Sequence, residues 1–262
     1  MAGTVGGTVP TGGGPAGTRP AVRVDGLVKR FGRGPVVLDG VDLDVAPGEL
    51  VCLVGASGCG KSTLLSLLAG LLEPTGGTVS VAGERPALMF QEPALLPWLT
   101  AAGNVELALR LRGVPRRERR EQAARLLEVV RLEGVGPMRP HQLSGGMQQR
   151  VALARALSQR SDVLLMDEPF GALDAITRDV LHDELVRVQA ETGVAVVFVT
   201  HDVREAVRLG HRVVLLSSRP GRVIADWPVR IDGPRRADDP AVSQLAEHIT
   251  ARLREEIRRH AA

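Results

Sequence analysis

The chain has 262 residues, 44% of them hydrophobic, and a formal net charge of +3. This length and composition are sufficient for one large domain with an inserted subdomain. The two cysteines, Cys52 and Cys59, are too few for a disulfide framework or a structural zinc site, and they favour a reducing cytosolic compartment.

The N-terminal part of the chain combines a low-complexity tail with a β-rich segment. Residues 1–20 are rich in Gly, Thr and Pro and lack the basic and apolar regions of a signal peptide, which predicts a disordered tail. Apolar and polar residues alternate from 21 to 48, a pattern that predicts an antiparallel sheet including Phe31.

The segment GASGCGKST, residues 55–63, indicates a phosphate-binding P-loop. A strand-like stretch (49–54) leads into it and a leucine-rich helical stretch (64–72) follows, which is the setting that a P-loop requires. Its glycines allow a tight loop whose backbone N–H groups converge on phosphate oxygens, and the following helix adds the positive end of its dipole. Lysine is otherwise almost absent from the chain, so its presence in this loop indicates function. The predicted nucleotide-binding residues are Gly55, Ala56, Ser57, Gly58, Cys59, Gly60, Lys61, Ser62 and Thr63.

Three side chains of the P-loop have individual predicted roles. Lys61 is expected to reach the β and γ phosphates, and Thr63 to hydrogen-bond near the α phosphate. Ser62 is placed to bind Mg²⁺ through its hydroxyl. A glycine-rich turn that carries this pattern by chance is the alternative, and the flanking strand and helix disfavour it.

No segment is predicted to span a membrane. The most apolar stretch, residues 50–72, is interrupted by the glycines and polar residues of the P-loop, whereas a membrane span needs about 20 consecutive apolar residues. Transport across a membrane would therefore need a path supplied by another chain.

The middle of the chain changes from strands to helices. A strand is predicted over 78–82, and a short apolar strand over 87–90 leads to Gln91 and a proline-containing loop. From about 100 to 159 the pattern is helical, with Thr100 as an N-cap. The last of these helices begins in a second glycine-containing run.

That run, LSGGMQQR at residues 143–150, predicts a second anion site. Ser144, Gly145 and Gly146 stand at the start of a helix that extends through Ala156. Backbone N–H groups at a helix start bind anions, yet no phosphate of the same chain is expected nearby. Two anion sites therefore need two nucleotides, or two chains that share them.

The apolar run Val163–Met166 ends in two carboxylates, Asp167 and Glu168. An uninterrupted apolar run is typical of a central parallel strand. Asp167 is suited to bind Mg²⁺, directly or through water, and Glu168 to accept a proton from the water that attacks a γ phosphate. A solvated loop carboxylate is the alternative for Glu168, but its position between Asp167 and Pro169 favours catalysis.

The C-terminal third predicts a parallel sheet covered by helices. Strands near Val163, Val194 and Val213 alternate with helices that begin near Ala175 and Val203. The second of these strands is followed by His201, for which capping of a strand-to-helix turn is the alternative to a catalytic role. A last helix is predicted at about 241–260, without an assigned role.

Five motifs follow one another along the chain: Gln91 in MFQEP, LSGGMQQR (143–150), the strand with DEP (163–169), GALD (171–174) and His201 in FVTHD. In this order they resemble the ATP-binding subunit of ATP-binding cassette (ABC) transporters over residues 21–225. The resemblance implies an α/β P-loop NTPase fold of ABC type, with a mostly parallel core sheet flanked by helices. It also implies an N-terminal antiparallel β subdomain and an inserted α-helical subdomain. The expected limits are 21–235 for the ATPase domain, about 100–159 for its helical subdomain, and 236–262 for a C-terminal helical extension.

The resemblance assigns roles to the remaining site residues. Glu168, His201 and Gln91 form the implied catalytic group, and Ser62, Gln91 and Asp167 the implied Mg²⁺ site. Phe31 is expected to stack on adenine, where the family often has tyrosine, although a core phenylalanine is the alternative. The implied contacts to the nucleotide of a partner subunit come from Ser144, Gly145, Gly146, Gln148 and Asp174.

The sequences of three segments resemble those of the branch of the family that serves nitrate, aliphatic sulfonate and taurine importers. These segments are ALLPWLTAAGNVELAL (94–109), DEPFGALDAITRD (167–179) and LLSSRPGRV (215–223). The resemblance implies a head-to-tail dimer of two copies that binds ATP and Mg²⁺. It further implies two transmembrane permease subunits, an extracytoplasmic substrate-binding protein in the complex, and a peripheral position on the cytoplasmic side of the cell membrane.

A soluble cassette ATPase that acts on DNA or ribosomes is the alternative function. DNA-repair relatives carry long coiled coils between the P-loop and the LSGGMQQR run, and translation relatives carry two cassettes, whereas this chain has a short interval and one cassette. Eight arginines against three glutamates lie between 110 and 131. A solvated helix face, or contact with partner loops or anionic head groups, explains them better than nucleic acid, which is not expected to bind.

Overall fold

The computed structural model describes residues 19–261 except 84, 172, 232, 234, 237 and 238. The predicted disordered tail therefore lies almost wholly outside the described residues. The first elements are β1 (Val22–Arg30), β2 (Val36–Val45) and β4 (Gly76–Val81), which form an antiparallel sheet in the order β2-β1-β4. Phe31 follows β1 and belongs to a turn in which the Gly34 N–H donates to the Phe31 carbonyl. The prediction that the sheet includes Phe31 is wrong, because this turn ends the strand.

The second sheet has six strands, which in chain order are β3 (Leu50–Gly55), β5 (Ala87–Met89), β6 (Val163–Asp167), β7 (Ala195–Val199), β8 (Arg212–Leu216) and β9 (Val223–Pro228). Their order in the sheet is β5-β6-β7-β3-β8-β9. Strand β9 is antiparallel to β8, and the other neighbours are parallel. The central strands are fully buried apolar runs, as parallel strands covered on both faces require.

The described residues contain seven α-helices. The Thr100 hydroxyl accepts from the Gly103 N–H at 3.0 Å, which confirms the predicted N-cap. The first helix ends before Gly70, whose φ is 68°, so the predicted extension to residue 72 is wrong. The bounds are α1 (Lys61–Leu68), α2 (Ala101–Leu111), α3 (Arg116–Val129), α4 (Gly145–Leu157), α5 (Ala175–Thr192), α6 (Val203–Leu209) and α7 (Pro240–Ala261).

The central sheet separates two apolar cores. Along β3 the residues alternate, with Leu50, Cys52 and Val54 in one core and Val51 and Leu53 in the other. The first core joins the sheet to α2, α4 and α5, whereas the second joins it to α1 and the antiparallel sheet. This packing fixes the strand ends that carry the polar side chains.

The helices divide into separate packing groups. Helices α2, α3 and α4 pack on one another, and α4 also packs on β5 and α5. The C-terminal helix α7 packs on α6, with Val242, Ala246 and Ile249 buried. None of the helices in the described part of the chain combines the length and apolar composition that a membrane crossing requires.

Candidate active site

The carboxyl ends of four neighbouring parallel strands bring the predicted residues to one edge of the sheet. In the order β5-β6-β7-β3, these ends lead to Gln91, to Asp167 and Glu168, to His201, and to the P-loop. Ligands of open α/β sheets bind outside the carboxyl ends of the strands. The sheet order therefore assembles residues that lie up to 146 positions apart in the sequence, from Gly55 to His201.

The P-loop connects β3 to α1 and encloses the lysine. The Lys61 ammonium donates to the carbonyls of Gly55 at 2.9 Å and of Ala56 at 3.1 Å, and the side chain is buried. Gly60 has φ 106°, a backbone conformation that side chains disfavour, and an added Cβ would lie 2.7 Å from Leu38. The loop thus needs glycine there both for its turn and for its packing.

A magnesium-type donor set lies between the P-loop helix and the end of β6. Ser62 lies beside the Asp167 carboxylate. Burial raises the pKa of Asp167, and the nearby Ser62 hydroxyl opposes the change. A hydroxyl and a carboxylate are the hard oxygen ligands that Mg²⁺ prefers, so these residues fit the ion. Among the described residues no group of three or more His, Cys, Asp and Glu side chains could hold a metal ion.

Glu168 and His201 face each other at the ends of β6 and β7. His201 Nδ1 lies 2.9 Å from Glu168 Oε2, and the carboxylate accepts this hydrogen bond. The Glu168 side chain is 27% exposed and that of His201 is 68% exposed, so the pair is open to a ligand on the histidine side. A carboxylate and an imidazole at this distance can share the handling of a proton.

The loop after Gln91 is fixed by the helix that starts with the LSGGMQQR run. Gln149 Nε2 donates to the Gln91 carbonyl at 2.7 Å. The Arg155 guanidinium donates to the carbonyls of Ala94 at 2.7 Å and Pro93 at 2.8 Å. Burial lowers the pKa of Arg155, although an arginine stays charged at neutral pH. Sequence reasoning missed Gln149 and Arg155, because their partners are backbone carbonyls that no motif displays.

The first residues of α4 and its N-cap differ in exposure. The Ser144 hydroxyl caps the helix by accepting from the Met147 N–H at 3.3 Å, and Ser144 and Gly145 are exposed. Gly146 is buried, and an added Cβ would lie 2.4 Å from Thr177 Cγ2. Gln148 Nε2 donates to the carbonyls of Pro140 and Leu143 within its own chain. Ser144 and Gly145 are therefore accessible to a ligand, whereas the Gln148 amide braces the preceding turn.

Asp174 begins α5 on the exposed surface beside this helix. Its carboxylate caps the helix by accepting from the Thr177 N–H at 3.0 Å. Hydrogen bonds from Thr177 lower the pKa of Asp174, which keeps the carboxylate charged. The neighbouring Ile176 is 79% exposed.

Phe31 lies on the surface and not in the core, since it is 49% exposed. The Lys29 ammonium lies 5.0 Å from the centroid of its ring. An exposed aromatic ring can stack on a base, so the alternative of a core phenylalanine is wrong.

Fold and site together define a P-loop ATPase of the ATP-binding cassette class. A family model described as ABC transporter matches residues 38–171, and the chain belongs to this family. The taurine import ATP-binding protein TauB of Chromobacterium violaceum is 47% identical over 246 residues, covering 90% of this chain and 94% of that protein. The nitrate import ATP-binding protein NrtD of Synechocystis sp. is 46% identical over 209 residues, covering 77% and 79% respectively.

The dimeric structure of MJ0796, a bacterial ABC transporter cassette, has a TM-score of 0.71 and 34% identity to this chain. The alignment covers 80% of this chain and 100% of that cassette. A second dimeric structure shows the same cassette in a post-hydrolysis state bound to ADP and Pi. These likenesses confirm the predicted α/β P-loop fold of ABC type.

Proposed function

We propose that this chain hydrolyses ATP to energise an importer of a small anion of the taurine, aliphatic sulfonate or nitrate type. The observation that carries the ATPase reaction is the Glu168–His201 pair, 2.9 Å apart beside the P-loop strand. The anion class is supported by the 47% and 46% identity to TauB and NrtD, whose names state taurine and nitrate import. No described feature favours a nucleic-acid or ribosomal role.

The working enzyme in this proposal is a head-to-tail dimer. Helix α1, which follows the P-loop, packs on β3, β4, β6 and β7, whereas α4 packs on α2, α3, β5 and α5. The two anion sites of one chain therefore belong to separate packing groups. Ser144, Gly145 and Asp174 are exposed, so each is accessible to a second copy, and the dimeric structure of the MJ0796 cassette supports a dimer.

The proposed reaction uses groups of this chain that surround the bound nucleotide. Lys61 and the loop N–H groups bind the phosphates, and Phe31 stacks on adenine. Glu168 orients the attacking water and accepts its proton, while His201 holds that carboxylate and contacts the γ phosphate. Gln91 would contact the same water and a bound Mg²⁺ ion. Ser62 and Asp167 would hold Mg²⁺, which when bound neutralises charge that develops on the phosphate oxygens.

The proposed membrane partners rest on the likeness to import ATP-binding proteins and on one exposed aromatic residue. The loop after Gln91 contains Trp98, which is 67% exposed, and we assign it to contact with two transmembrane permease subunits. An extracytoplasmic binding protein would deliver the anion, and this chain would lie on the cytoplasmic side of the membrane. In this proposal residues 21–235 form the ATPase domain, with helices of about 100–159 inserted and 236–262 as a C-terminal extension.

The proposed catalytic base is tested by Glu168→Gln. The variant should bind ATP, hydrolyse it about 100-fold to 10,000-fold more slowly, and accumulate as an ATP-bound dimer in size-exclusion chromatography. Glu255→Ala, on the exposed side of α7, is the matched control and should keep wild-type turnover. Normal turnover by Glu168→Gln would show that another group is the base.

The proposed anion class is tested in cells. Cells that carry Glu168→Gln in place of the wild-type chain should lose growth on taurine or an aliphatic sulfonate as sulfur source, or on nitrate as nitrogen source. Cells with Glu255→Ala should grow normally. Unchanged growth on all three sources would contradict the anion class while leaving the ATPase assignment intact.

A further inference from the structure

A turn formed by residues 217–222 lies between the C-terminal helix and the P-loop. It follows β8, which pairs with the P-loop strand β3, so it stands at the same sheet edge as the nucleotide site. The motif SSRPGR supplies this turn. No residue of the turn is used in the proposed reaction.

The turn contacts the P-loop through one arginine. Arg219 Nε donates to the Gly58 carbonyl at 3.0 Å. On the other side of the same peptide, the Cys59 N–H donates to the Ala56 carbonyl at 3.3 Å. The planar peptide between Gly58 and Cys59 is therefore held from both sides. Gly58 has φ 74°, and a glycine leaves such a peptide free to rotate unless other groups hold it.

Hydrogen bonds within the turn and to a neighbouring strand hold the turn in place. The Ser217 hydroxyl donates to the Pro220 carbonyl at 2.7 Å and accepts from the Arg222 N–H at 2.9 Å. The Gly221 N–H donates to the Val37 carbonyl at 2.8 Å, and an added Cβ at Gly221 would lie 2.2 Å from the Cys59 carbonyl oxygen. Movement of this turn would therefore be transmitted to the P-loop.

The C-terminal helix holds the other side of the turn. Glu256 of α7 is 5% exposed, and its Oε1 accepts from the Ser218 N–H at 3.2 Å. His260 Nδ1 lies 3.1 Å from the same oxygen. Burying a carboxylate is costly without hydrogen-bond partners, and the Ser218 N–H is one of the partners of Glu256. Because Glu256 belongs to α7, this hydrogen bond forms only when α7 is docked in this position.

We propose that Arg219 and Glu256 are positioning residues that hold the P-loop in its phosphate-binding shape and make that shape depend on the docked helix α7. Glu256 fixes Ser218, the turn carries that position to Arg219, and Arg219 fixes the peptide after Gly58. The guanidinium also adds positive charge beside the loop. This inference rests on the proposed ATPase function, and it gives the C-terminal helix a role in nucleotide binding.

The test measures ATP binding in EDTA by titration calorimetry, and KM and kcat of hydrolysis with Mg²⁺. Arg219→Ala should weaken ATP binding about threefold to tenfold and raise KM more than it lowers kcat. Glu256→Ala should weaken binding in the same direction, whereas Glu256→Gln should retain most of the affinity, because its amide oxygen can still accept from Ser218. In the Arg219→Ala background, Glu256→Ala should cause no further loss, since its effect passes through Arg219.

Two variants provide matched controls. Arg222→Ala removes an ion pair with Asp39 from the same turn without touching the P-loop, and Glu255→Ala removes an exposed pair from the same helix. Both should bind ATP as the wild type does. Arg219→Ala with wild-type affinity and KM would overturn the inference, as would additive losses in the double variant. A wild-type chain that binds no ATP would overturn the proposed function and this inference with it.

Discussion

Glu168 has φ 45°, a backbone conformation that residues with side chains rarely adopt. Its N–H donates to the Val199 carbonyl at 3.0 Å, and its carbonyl accepts from the Gly171 N–H at 3.2 Å. These bonds hold the strained backbone and aim the carboxylate at His201. Strain of this kind concentrates at functional sites, so the conformation supports the proposed role of Glu168 independently of its sequence motif.

Asp167 illustrates the conflict between stability and function at a single residue. Burial raises its pKa, and the nearby Glu168 charge raises it further. A carboxyl whose pKa is higher in the folded chain favours folding when protonated, so its stabilising contribution is lost as the pH rises through that folded pKa. We expect Asp167→Asn to raise the Tm of the nucleotide-free protein by about 1–4 °C near pH 8, and less near pH 5.

The measurement is thermal unfolding followed by circular dichroism at both pH values. Asp25→Asn, which alters an exposed pair with Arg23, should leave the Tm almost unchanged. A lower Tm for Asp167→Asn near pH 8 would contradict a destabilising buried charge. The same variant should lose Mg²⁺-dependent hydrolysis.

At the scale of elements, the central strands were predictable because their burial on both faces leaves uninterrupted apolar runs. Strand β9 was missed, since it is an edge strand of intermediate burial with the mixed sequence VIADWP. The predicted residues Gln91, Glu168 and His201 each follow the end of a strand, so the sequence motif and the order of strands in the sheet point to the same edge. Arg155 and Arg219 could not be predicted, because each binds backbone carbonyls of a loop distant in sequence.

The contact between α4 and α5 depends on a glycine in the LSGGMQQR run. A Cβ at Gly146 would lie 2.4 Å from Thr177 Cγ2. We expect Gly146→Ala to lower the free energy of unfolding by about 1 kcal/mol through overpacking, despite the better helix propensity of alanine. Urea unfolding checks this value.

Removing the obstructing methyl group should reverse the effect. Gly146→Ala combined with Thr177→Ser should be at least as stable as Thr177→Ser alone, because the clash is absent and the alanine favours the helix. Equal destabilisation by Gly146→Ala in both backgrounds would show that the contact with Thr177 is not its cause.

At the scale of the whole molecule, each chain carries two different halves of the proposed catalytic site. The P-loop, Glu168 and His201 lie at the sheet edge, and the exposed start of α4 lies in the separate helical group. In the proposed twofold dimer, the P-loop side of each chain faces the start of α4 in the other chain, so the dimer has two such sites. Two chains with defects in different halves should therefore restore one complete site between them, whereas defects in the same half should not.

Lys61→Ala should remove phosphate binding from one half, and Ser144→Arg should block the other half while leaving ATP binding to its own P-loop. Each variant alone should be inactive. Mixed in equal amounts, they should recover about a quarter of the wild-type ATPase rate, because half of the dimers are mixed and each has one complete site of two. A mixture of Lys61→Ala with Glu168→Gln is the matched control and should stay inactive, since both defects lie in the same half. If Lys61→Ala with Ser144→Arg stayed inactive while both variants were folded and Ser144→Arg bound ATP, the shared site would be contradicted.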